Sequence, residues 1–578
     1  MPSPSLPTTP DRTESEQWWK SAVIYQIYPA SFADSDGDGW GDLRGVISHL
    51  DYLAELGVDV VWFSPIFPTP WDDGGYDISD YQDVEPRFGS LADFDELVNQ
   101  VHARGMKIIL DLVPNHTSDE HPWFVESRSS VDSPKRDWYF WRPARPGSVP
   151  GEPGSEPTNW LSKFSQPAWT YDEATGEYFL HLYSRKQPDL NWENPEVRAA
   201  IHSMVTWWLE RGVDGFRIDV VNKFSKVLPF RDMPSDGSPY VNAEPMYENG
   251  PRIHEFLQEL SRETFAAHRD RILVVGEASG STAEDGLLFS DPARGELDMI
   301  FTFEHIRVDH GRDKFDVQPL DLVELKAIMN RWQTTLAETG WNALYFCNHD
   351  QPRVVSRWGD DGEYRVQSAK MLATVLHLHR GTAYVYQGEE LGMTNLDFAS
   401  IADFQDQASI NYLTGFAGEL EEKLPGVAQF SRDNARSPMQ WDDSSGAGFT
   451  TGEPWLRINA NHRTINAAAA VADPQSVWHH YRNLISLRHT LPVVTFGEFT
   501  MLIPDDPSVY AFTRKLEGTT LLVLGNFTGE TVPVDLPDAS DWASAELLLW
   551  NYPTPREEEL SLRPWETRVY RRIADDGV

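Results

Sequence analysis

Four short apolar segments of this chain end on side chains that ionise or hydrogen-bond: Asp111-Leu-Val-Pro-Asn115-His116, Gly215-Phe-Arg217-Ile-Asp219-Val220, Val275-Gly276-Glu277-Ala278 and Asn348-His349-Asp350. Singly, each has a plain structural explanation, because a strand-end aspartate commonly caps a helix and a lone histidine is commonly satisfied within the fold. Brought together, three carboxylates, two histidines and an arginine would strain a fold that did not use them, since unpaired buried charge is costly. The chemistry that asks for this set is cleavage of a glycosidic bond. One carboxylate attacks the anomeric carbon, while a second, kept protonated by its surroundings, donates to the leaving oxygen and later activates water. An arginine holds the attacking group ionised, histidines donate to sugar hydroxyls, and a third carboxylate grips adjacent hydroxyls and favours an oxocarbenium-like transition state.

Something must carry these ends to one place. Buried strands are expected at Val23–Tyr28, Val58–Phe63, Lys107–Val113, Val213–Val220, Ile272–Glu277, Met299–Phe303, Asn342–Asn348 and Thr382–Gln387. Amphipathic stretches lie between them, such as Val46–Leu56, Ala92–Ala103, Val197–Glu210, Ile253–Ala267 and Tyr364–His379. Roughly eight strand-plus-helix repeats predict an α/β fold, a (β/α)₈ barrel, whose active sites lie at the C-terminal ends of the strands. A doubly wound sheet alternates in the same way, so periodicity alone leaves both open. A Trp-, Pro- and Gly-rich excursion after the third strand, residues 117–187, predicts an inserted subdomain, and a shorter one after the fourth strand runs from Lys223 to Asn249. From residue 496 the pattern becomes closely spaced strands without helices, which predicts a C-terminal antiparallel β-sandwich over 496–578. The barrel is then expected over 16–116 and 188–495, after a disordered arm at 1–15.

The chain has 578 residues, more than one core usually organises, and a formal net charge of -40 that would repel a nucleic acid. Cys347 is the single cysteine, which fits a reducing compartment, and no secretory signal or membrane-length apolar run is visible. The expectation is a cytoplasmic monomer or homodimer that binds a small-molecule substrate and no organic cofactor, membrane or nucleic acid. In the segment Asp34-Ser-Asp36-Gly-Asp38-Gly-Trp40-Gly-Asp42, carboxylates at alternate positions suit Ca²⁺ or Mg²⁺, although Gly45 at the twelfth position excludes an EF-hand. A polar loop of Asx turns without an ion has the same composition.

The ordered segments Asp111–His116, Gly215–Val220, Gly276–Ala278 and Phe346–Asp350 resemble the motifs of glycoside hydrolase family 13, the α-amylase superfamily. The resemblance runs from Trp18 through the C-terminal β domain. It implies Asp219 as nucleophile, Glu277 as acid/base, Asp350 as transition-state stabiliser, Arg217 as support for Asp219, and His116 and His349 as contacts of the first glucosyl unit. Further segments, Trp18–Tyr25, Asp72–Asp77, Gln187–Asn191 and Arg432–Trp441, are similar to the oligo-1,6-glucosidase and α-glucosidase branch. There the resemblance implies that Asp73 and Arg436 hold the non-reducing end, Tyr76 stacks on the sugar and Gln187 lines the pocket. Tyr183 stands where that branch usually has Phe, and Val220 is the choice that accompanies α-1,6 rather than α-1,4 activity. The same resemblance implies a structural ion on Asp34, Asp36, Asp38, the Trp40 carbonyl and Asp42. It thus points to a retaining exo-acting α-glucosidase. A transglycosylating relative of the sucrose isomerase or trehalose synthase type shares the intermediate, and a non-catalytic transporter-chaperone homologue would lack the carboxylates present here.

Overall fold

The computed structural model describes residues 17–415, 420–537, 539–542, 544–554 and 560–574; the arm expected at 1–15 lies outside the described residues. Eight parallel strands form the central sheet: β1 (Val23–Ile27), β2 (Val60–Phe63), β3 (Lys107–Leu112), β4 (Gly215–Ile218), β5 (Leu273–Glu277), β6 (Met299–Phe301), β7 (Ala343–Leu344) and β8 (Thr382–Tyr386). Their order is β6-β5-β4-β3-β2-β1-β8-β7, and a parallel bridge from Ile300 to Asn342 brings the two edges together into a barrel. The strands are almost entirely buried, which is why they read as continuous apolar runs rather than as an alternation. Helices such as Leu91–Ala103, capped by Ser90 and Asp93, and Pro195–Glu210, capped by Asn194, pack their apolar faces around it. The expected helix at Val46–Leu56 is two, Leu43–Ser48 and Leu50–Leu56, hinged at His49.

The excursion after β3 carries a three-stranded antiparallel sheet of Trp141–Arg142, Glu177–Leu180 and Trp169–Asp172. It is joined to the excursion after β4, because Trp160–Leu161 pairs in parallel with Val241–Asn242, and Phe230 packs against Trp160 at 5.3 Å. The two segments therefore form one wall over the barrel mouth. At the other end of the chain, a five-stranded antiparallel sheet places alternate residues on opposite faces. Tyr510, Phe512, Leu521 and Val523 join the barrel core, whereas Val509, Ala511, Leu522 and Leu524 are covered by Val534, Leu536, Trp542 and Leu562. Among the described residues no helix is long and apolar enough to cross a membrane.

Candidate active site

The polar strand ends meet at the mouth of the barrel. Asp111 on β3 is the register neighbour of Arg217 on β4, so both side chains enter the barrel side by side. Asp219 follows β4 directly, and Glu277 is the last residue of β5. Gly276 has to be bare, since a Cβ there would come within 2.6 Å of Leu297 and 2.7 Å of Val221. Arg217, 1% exposed, reaches Asp111 Oδ1 at 2.7 Å and Asp219 Oδ1 at 2.7 Å with one nitrogen and Glu277 Oε2 at 2.8 Å with the other. Asp111 is closed off by the indole of Trp62 (3.2 Å) and the hydroxyl of Tyr76 (3.0 Å), both of which donate to it.

Burial pushes Asp219 well above the usual carboxylate range; Arg217 pulls it down, and the negative charges of Glu277 and Asp111 and the hydrogen-bonding contact with Glu277 push it up again. Burial likewise lifts Asp111 to about 7 against the pull of Arg217. The negative charge of a carboxylate in contact thus favours the protonated form of Asp219, because two adjacent negative charges repel. Asp350 goes the opposite way. Burial would raise it, but His349 and the cations Arg432, Arg436 and Lys314 hold it far below the usual range. His349 is itself pushed down to about 3 by burial, with Arg217, Arg436 and Arg432 acting in the same direction, so the guanidiniums supply the charge. Burial also takes His116 down to about 4, which leaves a neutral imidazole suited to hydroxyl groups.

A cleft of about 690 Å³ opens above these groups, and its walls include Asp73, Tyr76, His116, Phe164, Tyr183, Asp219, Val220, Glu277, Asp350 and Arg432. The volume is that of a small-ligand site. Gln187, Arg217 and His349 are buried just behind the wall rather than on it. His349 stacks on Tyr76 at 5.0 Å and 10°, and Tyr183 leans on His116 at 5.3 Å. One end is closed by a network that the sequence reading did not foresee. Arg432 donates to Asp73 (2.8 Å), pairs with Asp406 (2.8 Å) and lies 3.5 Å from Asp350, while Gln187 donates to the other oxygen of Asp73 at 2.9 Å. Arg436, expected beside Asp73 on the sugar, instead donates to Asp350 (2.9 Å) and to the His349 carbonyl (3.1 Å). It faces a separate cavity of about 140 Å³ behind the Asp73–Arg432 pair. Arg432 opens the very segment that drew attention to Arg436, but its partner Asp73 is 359 residues away in sequence.

Val220 lines the cleft in the left-handed region (φ 39°, ψ 45°), where a β-branched residue pays about 1–3 kcal/mol of strain. Its N–H donates to Glu277 Oε2 at 3.2 Å, so the strained backbone also holds the second carboxyl.

Away from the cleft, carboxylate oxygens of Asp34, Asp36 and Asp42 lie within 4.8 Å of one another. Asp38 is not in that group, and its carboxylate accepts the Trp40 N–H at 2.8 Å. Burial raises Asp38, and the charges of Asp36, Asp34 and Asp42 raise it further, so the loop concentrates negative charge as a hard-cation site does.

Comparison with known proteins places this geometry. The catalytic-domain model of alpha amylase matches residues 26–497, and the alpha-amylase SusG C-terminal domain model matches residues 509–569. An oligo-1,6-glucosidase of Parageobacillus thermoglucosidasius is 52% identical over 96% of this chain and 99% of its own. Among solved structures, a trehalose-6-phosphate hydrolase of Bacillus licheniformis superposes with a TM-score of 0.89 at 43% identity, covering 96% of this chain and 100% of that one. A trehalulose synthase of Pseudomonas mesoacidophila gives a TM-score of 0.89 at 42% identity over 96% of this chain and 99% of that one.

Proposed function

The chain belongs to the α-amylase family, in the oligo-1,6-glucosidase branch, and is a glycoside hydrolase and α-glucosidase; on that premise we propose that it is exo-acting and retaining, with Asp219 as nucleophile, Glu277 as acid/base and Asp350 as stabiliser of the transition state. The observation that carries this reading is the single guanidinium of Arg217 shared by Asp219 and Glu277. It supports a carboxyl pair too close together to hold a water between them as an inverting enzyme's ~6.5–9.5 Å spacing does.

A glucoside lodged between the two carboxyls breaks their contact, leaves Asp219 to Arg217 and directs the proton on Glu277 at the glycosidic oxygen. Asp219 Oδ attacks the anomeric carbon as the bond to the leaving oxygen breaks and Glu277 gives up its proton. Water, deprotonated by Glu277, then attacks the same carbon from the opposite side and frees Asp219, so two inversions return the α-anomer. Asp350, held ionised by Arg432 and Arg436, accepts hydrogen bonds from the hydroxyls beside the reacting carbon. The Asp73–Arg432 pair closes the far end, which suits release of one glucose at a time. Val220 narrows the aglycone side of the nucleophile, a shape that favours the flexible α-1,6 linkage over α-1,4.

The test is to follow isomaltose, maltose, sucrose and panose by NMR with products identified. α-Glucose as first product, faster turnover of isomaltose than of maltose, and loss of turnover in Asp219→Asn with the fold intact are the expected results; β-glucose as first product rules out the mechanism. For the ion, Asp34, Asp36, Asp42 and the Trp40 carbonyl are the candidate ligands, and the loop shares no residue with the cleft. A bound cation would brace the contacts that tie the loop to the 449–455 segment, where Asp34 N–H donates to the Phe449 carbonyl at 2.9 Å. Calcium should therefore raise Tm and leave the bond-breaking groups untouched; an unchanged Tm in calcium and in chelator would dismiss the ion.

A further inference from the structure

The segment that leaves β4 grips the segment that leaves β5. Beyond Asp219, the Val220 N–H donates to Glu277 Oε2 at 3.2 Å, and the buried helical turn Val221–Lys223 follows. From that turn Asn222 Nδ2 donates to the Ser279 carbonyl and Lys223 Nζ donates to Ser279 Oγ, both at 2.7 Å. Ser279 stands two residues past Glu277 and lines the same cleft. Asn222 makes an ordinary side-chain bond to backbone. Lys223 is the unexpected member, because it is 0% exposed and the proposed reaction does not use it.

The cation is matched by a carboxylate. Lys223 Nζ meets Glu248 Oε1 at 2.7 Å, and Ser279 Oγ donates to the same oxygen at 3.5 Å. Glu248 also lies 3.3 Å from Lys163 Nζ, which is paired with Glu244; Lys163 and Glu244 both line the cleft wall built by the two excursions. The Glu248 carboxylate presses on the backbone of the loop that follows Glu277. Gly280 there has φ 77°, and a Cβ would come within 2.1 Å of Glu248 Oε2, so only glycine fits. Burial lowers Lys223 to about 8, with Lys163 acting in the same direction and Glu248 and Glu277 opposing, so it stays mostly protonated at neutral pH. Well-packed apolar side chains in place of a buried ion pair are often neutral or stabilising. Stability alone therefore does not account for a lysine here.

We propose that Lys223 is a positioning residue for the acid/base: with Glu248 it clamps Ser279 and so fixes the end of β5, where the Glu277 carboxyl must reach the leaving oxygen. The inference rests on Glu277 as proton donor and adds the group that sets its place. Lys223 does not line the cleft, and its effect passes through Ser279 and the loop backbone. A displacement of about 1 Å at a reacting group can cost about 10²-fold in rate. The loss falls on substrates whose leaving group must be protonated and spares those whose leaving group departs as a stable anion.

Lys223→Met keeps the length of the side chain and removes its charge. Its kcat/KM should fall about tenfold or more on isomaltose and about threefold or less on 4-nitrophenyl α-glucoside, a smaller copy of the discrimination expected of Glu277→Gln. A role confined to stability removes folded enzyme and scales both rates equally. Because the single variant leaves Glu248 short of a partner, the double variant Lys223→Met, Glu248→Leu removes both members; its Tm should return toward that of the wild type while the unequal loss persists. Ser279→Ala, which deletes one hydroxyl, should show the same inequality in weaker form, and it carries the test if neither lysine variant folds. Equal losses on the two substrates, or isomaltose activity that recovers with Tm in the double variant, overturn the clamp. If Glu277→Gln itself fails to separate the substrates, the acid assignment falls; if it separates them while the Lys223 and Ser279 variants do not, only this inference is lost.

Discussion

Replacing Arg217 by glutamine tests the centre of the mechanism, because one side chain holds three carboxylates. In the protein it contacts Asp111 and Asp219 at 2.7 Å each and Glu277 at 2.8 Å, out of reach of bulk water. Opposite charges about 4 Å apart at an effective dielectric near 20 attract by about 4 kcal/mol. Arg217 is thus a strong pull toward the ionised form of Asp219, set against burial and the neighbouring carboxylates. The direction follows from the chemistry: Arg217 favours ionised Asp219, so without it Asp219 rises further and the ionised nucleophile is populated only at higher pH. Activity below neutrality should therefore fall, and the acid limb of kcat/KM should move to higher pH, so that the loss is greatest at low pH and shrinks as pH rises. The assay is the pH profile of 4-nitrophenyl α-glucoside hydrolysis from pH 4.5 to 9.5, with circular dichroism to establish that the variant is folded. Removing one partner of a buried pair also costs about 3–5 kcal/mol of stability, partly relieved when the orphaned carboxylates take up protons. An acid limb that stays where it was, under a uniformly lower plateau, would mean that Arg217 only shapes the site and does not set its ionisation.

Other outcomes follow from neighbouring contacts. Glu277→Gln should slow isomaltose far more than an activated aryl glucoside, whose leaving group needs no proton; equal losses on the two, in initial-rate assays, would remove Glu277 from the acid role. Val220→Thr should raise the maltose-to-isomaltose ratio of kcat/KM several-fold, by about 1 kcal/mol or less of differential transition-state binding, and an unchanged ratio would clear Val220 of any part in linkage choice. Glu389→Gln should stabilise the protein increasingly as pH rises from about 4.5 to 7. The buried Glu389 is held up to about 7 by desolvation, although Tyr481 donates to it at 2.8 Å. Its folded form thus keeps a proton that the unfolded chain releases, so the wild type loses up to about 3 kcal/mol across that window. Thermal melts at pH 4.5 and 8 read the difference, and a shift of equal size at both pH values would contradict it.

Much of the barrel was legible because strands buried on both faces are written as unbroken apolar runs, and the runs ending at Leu112, Ile218 and Glu277 stop within a residue or two of the expected ends. The seventh strand was harder. The run expected to extend to Asn348 pairs only over Ala343–Leu344, after which Asn348, His349 and Asp350 leave the ladder to make other bonds, such as the Asp350 N–H to Asn348 Oδ1 at 2.8 Å. The closely spaced strands without helices expected from residue 496 announced the C-terminal sheet, in which Val509–Leu516 pairs antiparallel with Thr519–Asn526. The union of the two excursions was not written anywhere that a local pattern could carry it. It rests on two-residue strands, Trp160–Leu161 and Val241–Asn242, too short to have a period, and on aromatic packing around Phe230 between segments far apart in the chain.

The closed end of the cleft marks the same boundary: the resemblance implies Arg436 on the sugar, whereas Arg432 is the guanidinium that lines the cleft. Both belong to one segment and differ by about one helical turn; Arg432 immediately precedes the helix Asp433–Arg436 that Arg436 ends. Identity and spacing cannot say which of two such guanidiniums faces the sugar, because that depends on where carboxylates from other parts of the chain stand. Asp73 comes from the loop after β2, Asp350 from the loop after β7 and Asp406 from the excursion after β8, and only their meeting point turns Arg432 toward the cleft. Asp73, Asp350 and Asp406 converge on Arg432, with Arg436 also bound to Asp350, and the carboxylate oxygens of this network can accept hydrogen bonds from the hydroxyls of a terminal sugar. A longer chain continuing through that end would have to separate Arg432 from Asp73 and Asp406 with no counter-charge to replace it. The ion network, more than the shape of the wall, is thus what confines cleavage to the last glucose.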